Sequence, residues 1–125
     1  MASISDYVLD AALEKLDTEA NAIHITSQEA TTYTEATSTY SLGSATSISI
    51  GSPQDRTATG GGREVVLANV TGGNVSAGGT ADTFAIVDST NSRLLATGTL
   101  ATSQQVTSGN TFTLSSISIG IPDPT

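Results

Sequence analysis

The side chains that could do chemistry in this chain are few and far apart. His24 is the only histidine, cysteine is absent, and the 12 acidic residues greatly outnumber the basic residues Lys15, Arg56, Arg63 and Arg93. A serine-hydrolase triad needs a histidine and a turn that presents the nucleophile, and the chain has no Gly-x-Ser-x-Gly turn to serve His24. The sequence therefore predicts a non-enzymatic protein.

Three weaker signals for a binding site also have simpler explanations. The glycines of residues 60–63 are followed by Glu64 rather than by a lysine and a hydroxyl, so this segment is interpreted as a flexible loop and not as a phosphate-binding loop. Asp82 and Asp88 flank an apolar stretch, but calcium takes about six or more oxygen ligands, and we expect solvated turn carboxylates. His24 alone does not make a metal site. No metal and no cofactor are predicted.

The charge balance argues against two classes of partner. The net charge is −8, so the chain lacks the basic surface that attracts nucleic-acid phosphates, and direct nucleic-acid binding is not expected. No apolar run approaches the length that spans a bilayer, and the N-terminus lacks a basic segment followed by an apolar run. We expect a soluble protein that is made and used without classical export and without a membrane partner.

The composition favours strands and turns, with 21 Thr, 17 Ser and 12 Gly and no Trp. Residues 80–100 form the pattern around which the other segments can be arranged. Phe84 and Ile86 alternate with Ala85 and Val87, a polar loop follows at residues 89–92, and residues 93–100 return. Because both faces are apolar, we expect a central hairpin that is covered on both sides.

The remaining segments predict an antiparallel β-sandwich or small barrel with one N-terminal α-helix. The chain is interpreted as a single domain, with a helix in residues 1–20, a β body in 21–120 and an extended, proline-containing tail in 121–125. Thr32 and Glu35 resemble a capping box, so a helical turn is expected there, ended by Leu42 and Gly43. Further strands are expected at residues 22–26, 46–50, 63–70, 74–77 and 111–119, with a turn at 72–73, an edge or connection at 99–106 and another turn at 108–110.

The predicted helix, residues 3–17, carries two apolar stripes where a surface helix needs one. One stripe consists of Ile4, Tyr7, Val8 and Ala11, and the second stripe consists of Leu9, Leu13 and Leu16. Either the extra stripe lies under a loop, or it forms a subunit contact. We take Leu9, Leu13 and Leu16 as a candidate partner interface, because exposed apolar patches usually mark contact sites.

A mobile loop is predicted at residues 51–62, and together with the residue that follows it carries two of the four basic residues, Arg56 and Arg63. On an acidic protein, such a loop could reach an acidic patch on a neighbouring subunit, where arginine pairs well with carboxylates. Arg56 and Arg63 are therefore also candidate interface residues. The alternative is an ordinary surface loop.

Four segments resemble small structural proteins of tailed bacteriophages and prophages. They are SDYVLDAAL at residues 5–13, SQEATTYTEATSTYSLG at 27–43, FAIVD at 84–88 and LLATG at 94–98. The resemblance covers most of the chain, and its motifs are structural. It implies a virion protein of the capsid decoration (cement) type, which binds the outside of the shell and stabilises it.

The resemblance also implies partners and a location. The partners would be the major capsid protein and copies of the chain itself, in an expected homotrimer that matches the three-fold positions of such shells. The protein would occupy the capsid surface of the virion, after assembly in the host cytoplasm. The alternatives are a tail, neck or fibre-associated component or, with less support, a carbohydrate-binding module that recognises host-surface glycans.

Overall fold

Strands dominate the structure, as the sequence predicts. The computed structural model describes residues 5–46, 48–57 and 59–122, and 49% of them lie in strands. The prediction of a mainly β, antiparallel protein with one N-terminal helix is confirmed. The elements are α1 Asp6–Glu19, β1 Ala22–Thr26, a π-helical turn Glu35–Thr39, β2 Ser41–Ala45, β3 Gln54–Asp55, β4 Arg63–Leu67, β5 Val70–Val75, β6 Gly79–Asp88, β7 Arg93–Val106, β8 Thr111–Leu114 and β9 Ile117–Ile121.

These elements belong to two compact units. The first unit contains residues 1–19, 49–69 and 115–125, and the second contains residues 20–48 and 70–114. In the first, α1 packs on the three-stranded sheet β3-β4-β9. In the second, six strands follow the order β7-β6-β1-β2-β5-β8 and curl into a half-barrel. The side-chain amide of Gln104 in β7 donates to the carbonyl of Thr113 in β8 (3.4 Å), so the two edge strands approach at one end of the curl.

Strand β6 contains the longest continuous run of buried residues in the second unit. It pairs with β1 on one side and with β7 on the other, and its last six residues, 83–88, are all buried. Phe84 and Ile86 share one face with Ile23 and Ile25 of β1, which are opposite them in register. The predicted hairpin with its loop at residues 89–92 is confirmed, although β7 is an edge strand and only half-buried.

The opposite face of β6 is covered by the connection between β1 and β2. Ala85 and Val87 lie there in a cluster with Ala22, Ala30 and Ala36, against which Tyr33, Tyr40 and Leu94 pack. Alanine gives the connection room to lie close to the sheet, and the tyrosine rings supply the apolar area that the alanines lack.

A capping arrangement starts the helical turn in this connection, as predicted. The hydroxyl of Thr32 accepts from the Glu35 amide (3.1 Å), and the Glu35 carboxylate accepts from the Thr31 amide (2.8 Å). The turn then widens, and the Tyr40 amide donates to the Glu35 carbonyl (2.9 Å). The expectation that Leu42 and Gly43 end this turn is wrong, because both residues are already in β2.

Two further expectations from local pattern are wrong. The strand expected at residues 46–50 lies earlier, at Ser41–Ala45, between β1 and β5. Gly43 permits the close approach to β5, because a Cβ there would lie 2.4 Å from the Asn74 carbonyl oxygen. Ile50 instead makes an isolated bridge to Leu67. The turn expected at residues 72–73 is an irregularity inside β5, where Gly72 has φ 73° and the pairing with β8 shifts register.

The last strand is divided between the two sheets. The segment expected to form one strand, residues 111–119, forms β8 in the larger sheet and β9 in the smaller one. Ile121 still pairs with Arg63, so β9 runs one residue into the predicted tail. Residues 123–125 of that tail lie outside the described residues, as do Ser47 and the predicted helix start before residue 5.

Both phenylalanines of the chain lie over glycines of a neighbouring strand. Phe84 is opposite Gly98 in the β6–β7 ladder, and Phe112 is opposite Gly73 in the β5–β8 ladder. A Cβ on Gly98 would lie 2.7 Å from the Phe84 ring, and one on Gly73 would lie 2.4 Å from the Phe112 ring. The ring thus fills the space that the glycine leaves, a pairing that stabilises glycine in strands.

We expect Gly98→Ala to lower the free energy of unfolding by about 1–3 kcal/mol, because the new methyl group would overpack the buried Phe84 ring. The matched control is Gly78→Ala, where the methyl group would meet only the Val106 carbonyl oxygen at 3.5 Å. Urea unfolding of the two variants and the wild type measures the difference. Equal stability of Gly98→Ala and Gly78→Ala would show that the ring does not need the glycine.

Candidate interface

The leucine stripe of α1 is part of the core of the first unit. Leu9, Leu13 and Leu16 are 3%, 3% and 8% exposed, and α1 packs on β4, whose Val65 and Leu67 are fully buried. The expectation that this stripe is available to a partner is therefore corrected, because the stripe packs against the sheet of its own unit. Burial of three leucines contributes very roughly 1.5–3 kcal/mol each to the stability of the unit.

The exposed apolar side chains of α1 belong to the other stripe. Tyr7 is 85% exposed and Val8 is 54% exposed, and Ala11 is exposed on the same helix. Ile4, which the sequence places in the same stripe, lies outside the described residues. Large apolar side chains in this position are available for contact with a partner, and we take Tyr7 and Val8 as the candidate interface of the helix.

Arg63 connects α1 to the sheet of the same unit. Its Nε and Nη2 donate to the two carboxylate oxygens of Asp10 (2.8 and 3.2 Å), and its Nη1 donates to Asp55 Oδ1 (2.7 Å). Nη2 also donates to the Pro53 carbonyl (3.2 Å). Hydrogen bonds to Asp10, and then to Asp55, raise the pKa of the Arg63 guanidinium above its ordinary value. The expectation that Arg63 reaches for a neighbouring subunit is thus corrected, since the side chain is occupied within its own unit.

Arg56 is occupied in the same way by its own loop. Its Nη1 donates to the carbonyls of Thr59 (3.1 Å) and Gly61 (2.9 Å), and its backbone amide donates to the Gly62 carbonyl (2.9 Å). Gly60, Gly61 and Gly62 have φ of 102°, 66° and 98°, angles that favour glycine. The loop that was expected to be mobile therefore contains β3 and a turn closed by an arginine, while Ala58 lies outside the described residues.

His24 is half-buried on the sheet and hydrogen-bonded. Its Nδ1 lies 2.9 Å from the Ser41 hydroxyl, and burial lowers the pKa of the ring. The same hydroxyl also lies 3.5 Å from the Gly43 carbonyl. Because a hydroxyl has one proton, it donates to either the ring nitrogen or the carbonyl and not to both. The pair joins β1 to the start of β2, where Thr26 is paired with Ser41.

Asp88 fixes the tip of the central hairpin. It is 2% exposed and accepts hydrogen bonds from the amides of Thr90 (3.0 Å) and Asn91 (3.3 Å) and from the Asn91 side chain (2.8 Å). The bond from the Asn91 side chain, followed by those from the backbone, lowers the pKa of Asp88. The interpretation as a solvated turn carboxylate is wrong for Asp88, while Asp82 is exposed as expected but lies within β6 and not in a turn.

Asn21, the residue just before β1, holds the same hairpin tip, and sequence reasoning overlooked it. Its side-chain oxygen accepts from the Ser89 amide (2.9 Å) and hydroxyl (3.1 Å), and its amide group donates to Thr90 (3.3 Å). An Asp at the end of a strand, followed by Ser, Thr and Asn, is the local signal for such a turn. The distant Asn21 has no local signal.

A shallow depression in the second unit is lined by Ser44, Ala45, Thr46, Thr71, Gly72 and Asn74, with no aromatic side chain among them. Residues 5–46, 48–57 and 59–122 contain no group of three or more His, Cys, Asp or Glu side chains placed to hold a metal ion. Within the same residues, α1 and the other helical turn are too short and too polar to cross a membrane.

The chain has no match among protein-family models, curated proteins or solved structures at the level of significance required.

We expect the contact between Arg63 and Asp10 to show a larger coupling than an ordinary i,i+4 ion pair in a double-mutant cycle with Arg63→Gln and Asp10→Asn, since the pair is bidentate and its side chains are only 17% and 27% exposed. Lys15 and Glu19, an i,i+4 pair on the same helix whose lysine side chain is 77% exposed, provide the control cycle, with an expected coupling of about 0.3–0.5 kcal/mol. Chemical unfolding of each set measures the two couplings. Equal values would mean that Arg63 does not fasten the helix to the sheet.

The burial of His24 predicts a pH dependence of stability. Its pKa in the folded protein lies below the ordinary value of 6.5, so the folded state binds fewer protons than the unfolded state in that range. The contribution of the neutral ring is present above that ordinary value and is lost as the pH falls through the folded pKa. We expect the free energy of unfolding to decrease from about pH 7 to about pH 5 in the wild type.

His24→Gln tests this dependence, because His24 is the only histidine. Unfolding curves of the variant over the same range should have a flatter pH dependence than those of the wild type. If the two slopes agree, the loss of stability comes from carboxyl groups and not from the ring.

Proposed function

We propose that this chain is a non-catalytic structural protein of a tailed-bacteriophage particle, of the type that decorates the outside of the capsid. The observation that supports the proposal is that the most reactive side chains have structural roles. His24, Arg63 and Asp88 each make hydrogen bonds that join elements of one unit or close a turn. Tyr7 and Val8, by contrast, present apolar area to the outside.

Two physical properties support a position on the outer surface of a shell. The net charge of −8 would repel packaged DNA, so an outer location costs less electrostatic free energy than an inner one. Hydrogen-bonded strands account for about half of the described residues, and the chain contains no cysteine, so its stability does not depend on a redox environment.

The expected partners are the major capsid protein and other copies of this chain. Because Leu9, Leu13 and Leu16 are buried, Tyr7 and Val8 are the apolar residues of α1 through which we expect contact with a partner. The expectation of a homotrimer depends on the three-fold positions of such shells and not on any residue of the chain. A carbohydrate-binding module has less support, since Tyr33 and Tyr40 pack against the alanine cluster instead of forming an exposed aromatic platform.

The proposal predicts where the protein is found in a particle. Antibodies raised against the purified chain should label the heads of intact particles from an induced lysate of the bacterium that carries the gene. Cryo-electron microscopy of those heads should show density for the chain on the outer surface, with the Tyr7 and Val8 side of α1 against the shell. Labelling of the neck, tail or fibres would favour the alternative component, and absence from purified particles would refute a virion role.

A further inference from the structure

Strand β9 is an unusual edge strand, because its sequence is nearly the same in both directions. It reads Ile117-Ser118-Ile119-Gly120-Ile121. It pairs with β4 on one side, and no other strand of the described residues pairs with it. Such a strand presents a row of backbone donors and acceptors with which another strand can pair.

The hydrogen bonds of β4 show which backbone groups of that strand point away from β9. The Val66 carbonyl accepts from Gly51 (3.0 Å), and the Ala68 amide donates to Ser49 (2.9 Å), both on the side opposite β9. Neighbouring residues of a strand point to opposite sides in the plane of the sheet. Val65 and the other odd-numbered residues of β4 therefore direct their backbone groups toward β9.

This alternation fixes the backbone groups at the free edge of β9. Val65 is opposite Ile119 in the antiparallel register, so Ile119 and the two other isoleucines bond to β4. Ser118 and Gly120 then direct their amide and carbonyl groups to the free edge. Pro122, the next position in the alternation, has no amide proton, which ends the row of donors.

The isoleucine side chains of β9 are incompletely covered. They lie on the same face as Val65 and Leu67, which are opposite Ile119 and Ile117 and fully buried. All three isoleucines are only partly buried, while Ser118 and Gly120 are exposed on the other face. The apolar face of this sheet thus continues beyond β4 to the free edge.

We propose that β9 of one chain pairs with β9 of a second copy, antiparallel and about a two-fold axis at Ile119. In this register, Ser118 of each chain is opposite Gly120 of the other, and their outward groups form four backbone hydrogen bonds. Ile119 is opposite its own equivalent at a pair without backbone hydrogen bonds, where side chains come closest. Ile117 is opposite Ile121, so isoleucine meets isoleucine along the whole face.

The near-palindromic sequence and the absence of charge within β9 favour a second copy as the occupant. With a net charge of −8, two copies repel each other over most of their surfaces. No charged residue occurs in the sequence between Arg93 and Asp123, a stretch that includes all of β9, so β9 itself brings no like charges into direct opposition. The Arg56 side chain lies over Gly120, on the face opposite the isoleucines. In a two-fold contact, each strand meets the same strand running in the opposite direction. The near-palindromic β9 suits this contact, because the amide and carbonyl groups of Ser118 in one copy come opposite those of Gly120 in the other. The inference rests on β9 alone and not on the proposed function.

Ser118→Pro tests the pairing without breaking the sheet, since the amide that it removes faces the free edge and not β4. We expect the wild type to sediment as a concentration-dependent dimer and Ser118→Pro to dimerise roughly tenfold or more weakly. The matched control, Ser118→Ala, keeps the amide and should dimerise like the wild type. Circular dichroism checks that each variant is folded.

Cysteine cross-linking tests the register in a chain that has no cysteine of its own. Under mild oxidation, Ile119→Cys should give a covalent dimer, because the two equivalents meet at the axis. Ile117→Cys alone should not, whereas a mixture of Ile117→Cys and Ile121→Cys chains should cross-link. A wild type that stays monomeric up to roughly 0.1 mM would overturn the proposal. So would a dimer that Ser118→Pro leaves intact and Ile119→Cys fails to cross-link, which would place the contact elsewhere, for example at Tyr7.

Discussion

The larger sheet depends on the contact between a phenylalanine ring and a glycine of the neighbouring strand. The chain has two phenylalanines and no tryptophan, and both rings lie over cross-strand glycines, Gly98 and Gly73. These two contacts lie in the outermost ladders of the six-stranded sheet, so they fix its register close to both edges. Between them, the aliphatic side chains of β1 and β6 fill the same layer, which lets a sheet poor in aromatic residues form a dry core.

Polar side chains fix the places where aliphatic packing is thin. Asp88 and Asn21 close the hairpin tip, Thr26 and Thr83 bond to each other across the buried β1–β6 pair, and Arg63 joins α1 to β4. Among the described side chains, no buried polar atom lacks a hydrogen-bond partner. Because buried polar groups are costly when unpaired, each of these bonds also penalises a shifted register or a displaced helix.

The sequence predicted the structural features that depend on residues close to one another in the chain. The β6–β7 hairpin, the turn at Thr32 and the amphipathic character of α1 follow from period, caps and loop residues. The position of β2 does not, because Gly43 is selected by the close approach of Asn74, which is far away in the sequence. The candidate interface failed for a similar reason: a helical wheel shows two stripes but not which one the sheet covers. The roles of Arg63 and Asp10 depend on a contact across 53 residues, which no local pattern contains.

The edges of the two sheets are protected unequally. Ala81 and Thr83 of β6 are two positions apart in the chain, whereas their partners in β7, Gln104 and Thr99, are five positions apart. A second register shift lies near Leu94, so the edge strand β7 has two bulges. The edge strands β3 and β8 are two and four residues long. Short strands and bulges are the usual ways of preventing unwanted pairing. Strand β9 has five residues in continuous register with β4, alternating isoleucines and no charge. It is the edge on which these devices are lacking, and this contrast within one chain favours a strand kept open for a partner over one left open by chance.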